Sequence, residues 1–308
     1  MHVRLETLGR RQAVSLWLAF LILLTLSLPA TADPLVLGVF EQPQCKQEST
    51  RSARLLFAKT GDRWVALNNQ YEFSENRHLT LPSWTIVLDG RNLGNLKLRD
   101  PNPASPTLKD WYYGRDKLYV PENPEKVPTV KNESKSFGGW CQAPEARPLV
   151  LVSRANFDDP EKWKPFSPDQ SYKQSLYLPL KLVVGRFNAI HCIEGADHSE
   201  PWDFKPEDLV LYKGYRSAFG KELVSIGIDL TKIGCDSIVE PQWSNHWFLF
   251  DGEKIEFIGN QMELVDSGDY DNDGRSELLF WYSGYNRDGY VLIYDDLRQK
   301  VEYLWGYH

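Results

Sequence analysis

Excess positive charge is the first thing this chain lacks. Its 35 Lys and Arg face 42 Asp and Glu, for a formal net charge of −7. Affinity for nucleic acid rests on Lys and Arg neutralising phosphates, so an acidic surface argues against a DNA or RNA partner. It also disfavours adsorption to anionic membranes. Past residue 28 no apolar run is long enough to span a bilayer as a helix. Cysteine is scarce: four in 308 residues, with no C-x-x-C pair to build a zinc site. Catalytic signatures are missing too. There is no G-x-S-x-G elbow, no H-E-x-x-H and no glycine-rich phosphate loop. On this reading catalysis is less expected than binding or structure.

Long amphipathic stretches are few, whereas aromatics are plentiful: 11 Trp, 15 Tyr and 14 Phe. With 21 Gly and 19 Pro as punctuation, that balance favours strands over helices.

The N-terminus reads as a secretory signal. Arg4, Arg10 and Arg11 precede an apolar run from Ala13 to Leu28, and Ala30-Thr31-Ala32 supplies a small-x-small cleavage site before Asp33. Ala13 and Val14 are poor matches to the bulky pair of a twin-arginine signal, so general secretion is expected. No Cys follows the cleavage site to carry a lipid. Residues 1–32 are thus assigned to a signal peptide and 33–308 to one β-rich domain, periplasmic or extracellular, with no stable membrane insertion after cleavage. Removing a segment of net charge +2 takes the chain from −7 to −9. In an oxidising compartment Cys45, Cys141, Cys192 and Cys235 read as two disulfides. Three connectivities are open. Pairing in sequence order, Cys45–Cys141 and Cys192–Cys235, keeps each bridge local.

Along the chain, Pro34 to Phe40, Pro148 to Val152, Leu176 to Val184 and Leu209 to Tyr212 predict strands. Three hairpins carry their own turn chemistry: Ala53 to Leu67 around Gly61-Asp62, the strand Trp84 to Leu88 followed by Asp89-Gly90, and Trp247 to Ile258 around Asp251-Gly252. Residues 100–147 read as loop, and Asn156 to Phe166 as holding a short helical turn. Leu278 to Tyr282 and Tyr290 to Tyr294 are continuous apolar runs, which predicts strands covered on both faces. The fold class is therefore all-β, with a β-propeller as the favoured architecture and tandem β-sandwich modules as the alternative.

The segment Asp269 to Glu277 has the sharpest chemistry. Taking Asp269 as position one puts Asp271 at three, Asp273 at five, Gly274 at six, Arg275 at seven and Glu277 at nine. Carboxylates at one, three and five converge when the chain curls, and glycine at six permits the curl. Arg275 would offer its backbone carbonyl. Position twelve is Phe280, inside an apolar run, so the segment is not an EF-hand. A hard cation, Ca²⁺, is the expected occupant of this one site.

Gly268-Asp269-Tyr270-Asp271-Asn272-Asp273-Gly274-Arg275-Ser276-Glu277 followed by Leu278-Leu279-Phe280 resembles the integrin-type FG-GAP repeat and the related VCBS repeat, over residues 262–296. The resemblance implies a calcium-binding hairpin between two propeller strands. Its side-chain ligands fall on Asp269, Asp271, Asp273 and Glu277, and its carbonyl ligand on Arg275. The rest of the chain carries no such resemblance.

Lesser candidates are His191 to His198 as a transition-metal cluster, and Trp243, His246 and Trp247 as an aromatic sugar platform. Trp163 between Lys162 and Lys164 could be a nucleic-acid contact, and Asn132-Glu133-Ser134 matches a glycosylation sequon. Each is outweighed by an ordinary packing or loop role. The chain reads as an exported, disulfide-bonded, Ca²⁺-stabilised β protein that binds a protein or glycan partner or serves a structural role. The alternative is a secreted polysaccharide hydrolase or lyase with an acidic cleft.

Overall fold

A computed structural model describes residues 35–42, 51–67, 83–99, 118–128, 137–139, 143–184, 204–229 and 245–306. Seventeen strands and one α-helix lie within them. The class is all-β. All four cysteines, the leader, the sequon and the His191–His198 stretch lie outside the described residues. No helix among the described residues is long and apolar enough to cross a membrane.

The first sheet is built from β1 (Val36–Glu41), β2 (Ser52–Thr60), β3 (Arg63–Ala66), β4 (Trp84–Leu88), β5 (Arg91–Leu96), β6 (Leu98–Arg99), β7 (Leu118–Pro121) and β8 (Leu149–Val152). Its order is β5-β4-β8-β1-β2-β7-β6, with β3 also paired to β2. The second sheet takes β9 (Lys164–Phe166), β10 (Leu209–Arg216), β11 (Glu222–Ile228), β12 (His246–Asp251) and β13 (Lys254–Gly259), hydrogen-bonded in chain order. The third is the meander β14 (Met262–Gly268), β15 (Glu277–Gly284), β16 (Arg287–Tyr294) and β17 (Gln299–Gly306). All pairings are antiparallel.

The three expected hairpins are present. At the β4–β5 turn both Asp89 (φ 51°) and Gly90 (φ 65°) are left-handed, as a two-residue turn matched to strand twist requires. The second and third sheets are meanders, hydrogen-bonded in chain order. The first is not, because β8 is inserted between β1 and β4.

The sheets pack face to face, and the period-two alternation of each strand assigns side chains to one core or the next. Leu279 and Trp281 of β15, with Tyr290, Leu292 and Tyr294 of β16, meet Leu37, Val39, Leu56, Val150 and Val152 of the first sheet. The intervening residues Leu278, Phe280, Val291 and Ile293 meet Leu223, Trp247 and Leu249 of the second. The third sheet is therefore the middle layer, dry on both faces, as its unbroken apolar runs predict. Trp247 Nε1 donates to the Met262 carbonyl at 2.8 Å and ties the second sheet to it.

Three expectations fail locally. Residues 100–147 are not loop throughout, because Leu118–Pro121 form β7 between β2 and β6. Leu176 to Val184 is not a strand but the C-terminal part of α1 (Ser171–Val184). Leu176, Leu180 and Val184 recur every four residues, and that helical spacing lays them on the outer face of the second sheet, against Val224, Ile226 and Phe248. The helix runs through Pro179, although proline removes an interior hydrogen bond. Asn156 to Phe166 holds no helical turn. Asp159 accepts the amides of Glu161 (3.2 Å) and Lys162 (3.0 Å) as a helix cap would, but Lys162 turns left-handed (φ 49°) and the chain leaves as β9.

Candidate metal centre

The acidic loop joins β14 to β15, so both its ends are held by paired strands of the middle layer. Tyr270 anchors it from within. Its ring is fully buried and stacks on Phe157, with centroids 6.0 Å apart and planes at 28°. Gly268 makes room for this, since a Cβ there would lie 2.5 Å from Cζ of Phe157. Beyond the anchor, left-handed Asn272 (φ 66°) and Gly274 (φ 89°) curl the chain back on itself.

Within the curl the carboxylates organise the backbone. Asp269 Oδ1 accepts the Asp273 amide and its Oδ2 the Gly274 amide, both at 3.0 Å. Asp271 Oδ1 also accepts the Asp273 amide at 3.2 Å, and Asp273 Oδ1 accepts the Arg275 amide at 2.9 Å. One carboxylate oxygen from each of Asp269, Asp271 and Asp273 lies within 4.8 Å of the others. Two oxygens bound to one Ca²⁺ at roughly 2.3–2.6 Å are at most about 5 Å apart, and the three oxygens meet that pairwise limit. Among the described residues this is the group of Asp, Glu, His and Cys side chains that meets that condition.

Glu277 sits deeper, 2 % exposed, and its Oε2 accepts the Tyr270 amide at 2.6 Å. Burial raises its pKa well above the usual carboxylate range, and the charges of Asp271, Asp269 and Asp273 push the same way. Asp269 is raised as well, first by burial. Arg275 turns its guanidinium away, with Nη1 3.7 Å from Asp296 Oδ2, so only its main chain faces the loop's own turn. The structure thus brings together three of the five expected ligands and packs Glu277 against them.

Two cations near the loop escaped sequence reasoning. Lys59, at the end of β2, pairs with Asp271 Oδ2. Arg154, just past β8, donates from Nη2 to the Asp269 carbonyl at 2.5 Å. Burial lowers the Arg154 pKa, and Asp269, Glu277 and Asp271 offset it. Nothing in the local pattern around Lys59 or Arg154 points to a loop more than a hundred residues away; only the layering of the first sheet on the third does.

The other candidates resolve into packing. His246 and Trp247 are fully buried and offer no platform to a sugar, while Trp243 lies outside the described residues. Trp163 is 6 % exposed and donates to Glu161 at 3.0 Å, so it is a core ring and not a nucleic-acid contact. Comparison with protein-family models, with curated proteins and with solved structures finds no match to this chain.

Proposed function

We propose that this is an exported β protein stabilised by one Ca²⁺, with a non-catalytic binding or structural role toward a protein or glycan partner. The observation that carries the reading is the convergence of Asp269, Asp271 and Asp273 at the β14–β15 connection. The donor set is all hard oxygen, which suits Ca²⁺ over transition metals. Lys59 pairs with Asp271 and would be displaced from it by the ion. The resemblance of Gly268 to Phe280 to a calcium-binding FG-GAP or VCBS repeat points the same way.

Asp269, Asp271 and Asp273 would hold the ion through carboxylates, with the Arg275 carbonyl and Glu277 completing the shell. The ion would supply charge compensation and fix the loop; no bond is made or broken. A site of extracellular strength, Kd about 10⁻⁴–10⁻³ M, adds roughly 0.4–1.4 kcal/mol at millimolar Ca²⁺. For a domain of this size that is a rise in Tm of about 1–5 °C. Calorimetric melting in 1 mM Ca²⁺ and in EGTA tests the reading, with Asp273→Ala as the control that should lose the difference. Equal melting temperatures for the wild type would end it.

A further inference from the structure

A second acidic group in the molecule is not part of the loop. Asp266 of β14 is 1 % exposed, at the seam between the third sheet and the β4–β5 turn. Its Oδ1 accepts the Asp89 amide at 2.9 Å and Arg147 Nη2 at 3.1 Å. Arg147, just before β8, also donates Nη1 to Asp89 Oδ1 at 2.8 Å and Nε to the Val265 carbonyl at 2.5 Å. Asp266 Oδ2 is buried with no hydrogen-bond partner, and so is the Tyr270 hydroxyl, which lies close enough to feel the Asp266 charge. Gly90 closes the turn's other side, since a Cβ there would lie 2.8 Å from Asp159 Oδ2.

A buried carboxylate oxygen with no donor is unfavourable when charged and tolerable when it carries a proton. Arg147 is shared between two acids, so it compensates Asp266 only in part. The groups facing Asp266 are Asp89 and, behind it, Arg91 from the turn; Arg147 from the β8 approach; and Tyr270 from the acidic loop. Glu263, on the same strand, feels the Arg147 charge while bonded to Lys213. Arg147 is split between Asp89 and Asp266, and Asp266 is the buried one of the two, so Asp266 is the group that takes up a proton.

We propose that Asp266, Arg147 and Asp89 form a proton-operated latch that holds the β4–β5 turn against β14 when Asp266 is neutral and loosens it when Asp266 ionises. Burial, with Asp89 adding to it and Arg147 opposing it, places Asp266 at about 7. A lifted turn would hydrate the carboxylate and return it to its ordinary range. The closed state therefore binds the proton more tightly; its advantage is full below the ordinary value of 3.8, shrinks as pH rises, and is spent once pH passes about 7.

The Asp89 amide is itself the latch's hydrogen bond, so its exchange reports directly. Hydrogen exchange of residues 84–96, corrected for the intrinsic rise of rate with pH, should lose about tenfold protection for each pH unit between about 4 and the midpoint and level off above it in the wild type. Asp266→Asn keeps both acceptor contacts and cannot ionise, so its protection should stay level. Asp89→Asn removes a neighbouring charge and frees Arg147, so the midpoint should move to lower pH. Protection that stays level from about pH 4 to 7 in the wild type, an unchanged slope in Asp266→Asn, or an unmoved midpoint in Asp89→Asn would each overturn the latch.

Discussion

Lys59 Nζ is paired with Oδ2 of Asp271, 212 residues away in the chain, on a carboxylate whose side chain is only 4 % exposed. The acidic loop thus carries an internal counter-ion contributed by the first sheet. Cation binding at the loop is then an exchange, in which the ammonium gives up its partner as the ion arrives. Lys59→Met should bind Ca²⁺ several-fold more tightly than the wild type by isothermal titration calorimetry. In EGTA the same variant should be less stable, by about 1–3 kcal/mol, because a buried carboxylate has lost its partner. An unchanged Kd alongside measurable binding by the wild type would sink the exchange while leaving the calcium site standing.

Gly268 and Gly274 should respond differently to alanine. At Gly268 the added carbon meets Phe157 at 2.5 Å, and the Tyr270 anchor must shift with it. At Gly274 the carbon meets nothing within 4 Å, and only the left-handed φ of 89° is strained. Gly274→Ala should cost about 1–2 kcal/mol, the ordinary penalty of that conformation. Gly268→Ala should cost more and change the near-ultraviolet dichroism of the buried Tyr270. Urea melts of the two variants, side by side, check the order.

The helix gives a matched pair of leucines. Leu180 is fully buried against the second sheet, whereas Leu182 is 79 % exposed. Leu180→Ala should lose about 2–5 kcal/mol and Leu182→Ala less than about 0.5 kcal/mol. A strand through this segment would put both on one face and make the losses alike.

Acid sensitivity should centre on Asp296. Burial alone would raise its pKa, but hydrogen bonds from Lys221 and Arg298, with the charges of Lys221 and Arg275, hold it at about 2. A depressed carboxylate contributes stability above its unfolded value, near 3.8, and loses that contribution as pH falls through the folded one. Asp296→Asn should therefore melt lower than the wild type at pH 6 and converge with it toward pH 2. The side chain is partly solvated, so the gap at pH 6 should be small.

Hairpins were legible in the sequence because a two-residue turn writes itself in adjacent residues such as Asp89-Gly90. Leu278 to Tyr282 revealed double coverage because every position in it is apolar. Leu176 to Val184 misled for the opposite reason. Its apolar positions suit either period, and packing of Leu176, Leu180 and Val184 on the second sheet decides for the helix. The acids of the loop were visible because they lie within nine residues. Lys59, Arg154, Arg147 and Asp266 were not, because their meeting depends on which sheet lies on which, and that is recorded nowhere in the local spacing.

The placement of the third sheet between two others has one last consequence. On an ordinary half-wetted strand, tolerance to polar substitution rises and falls with every second position. From Leu278 to Trp281 and from Val291 to Ile293 there is no wet row to provide the tolerant half. Saturation mutagenesis there should give an even band of intolerance, and freedom to vary should return only where the chain leaves the layer at its connecting turns.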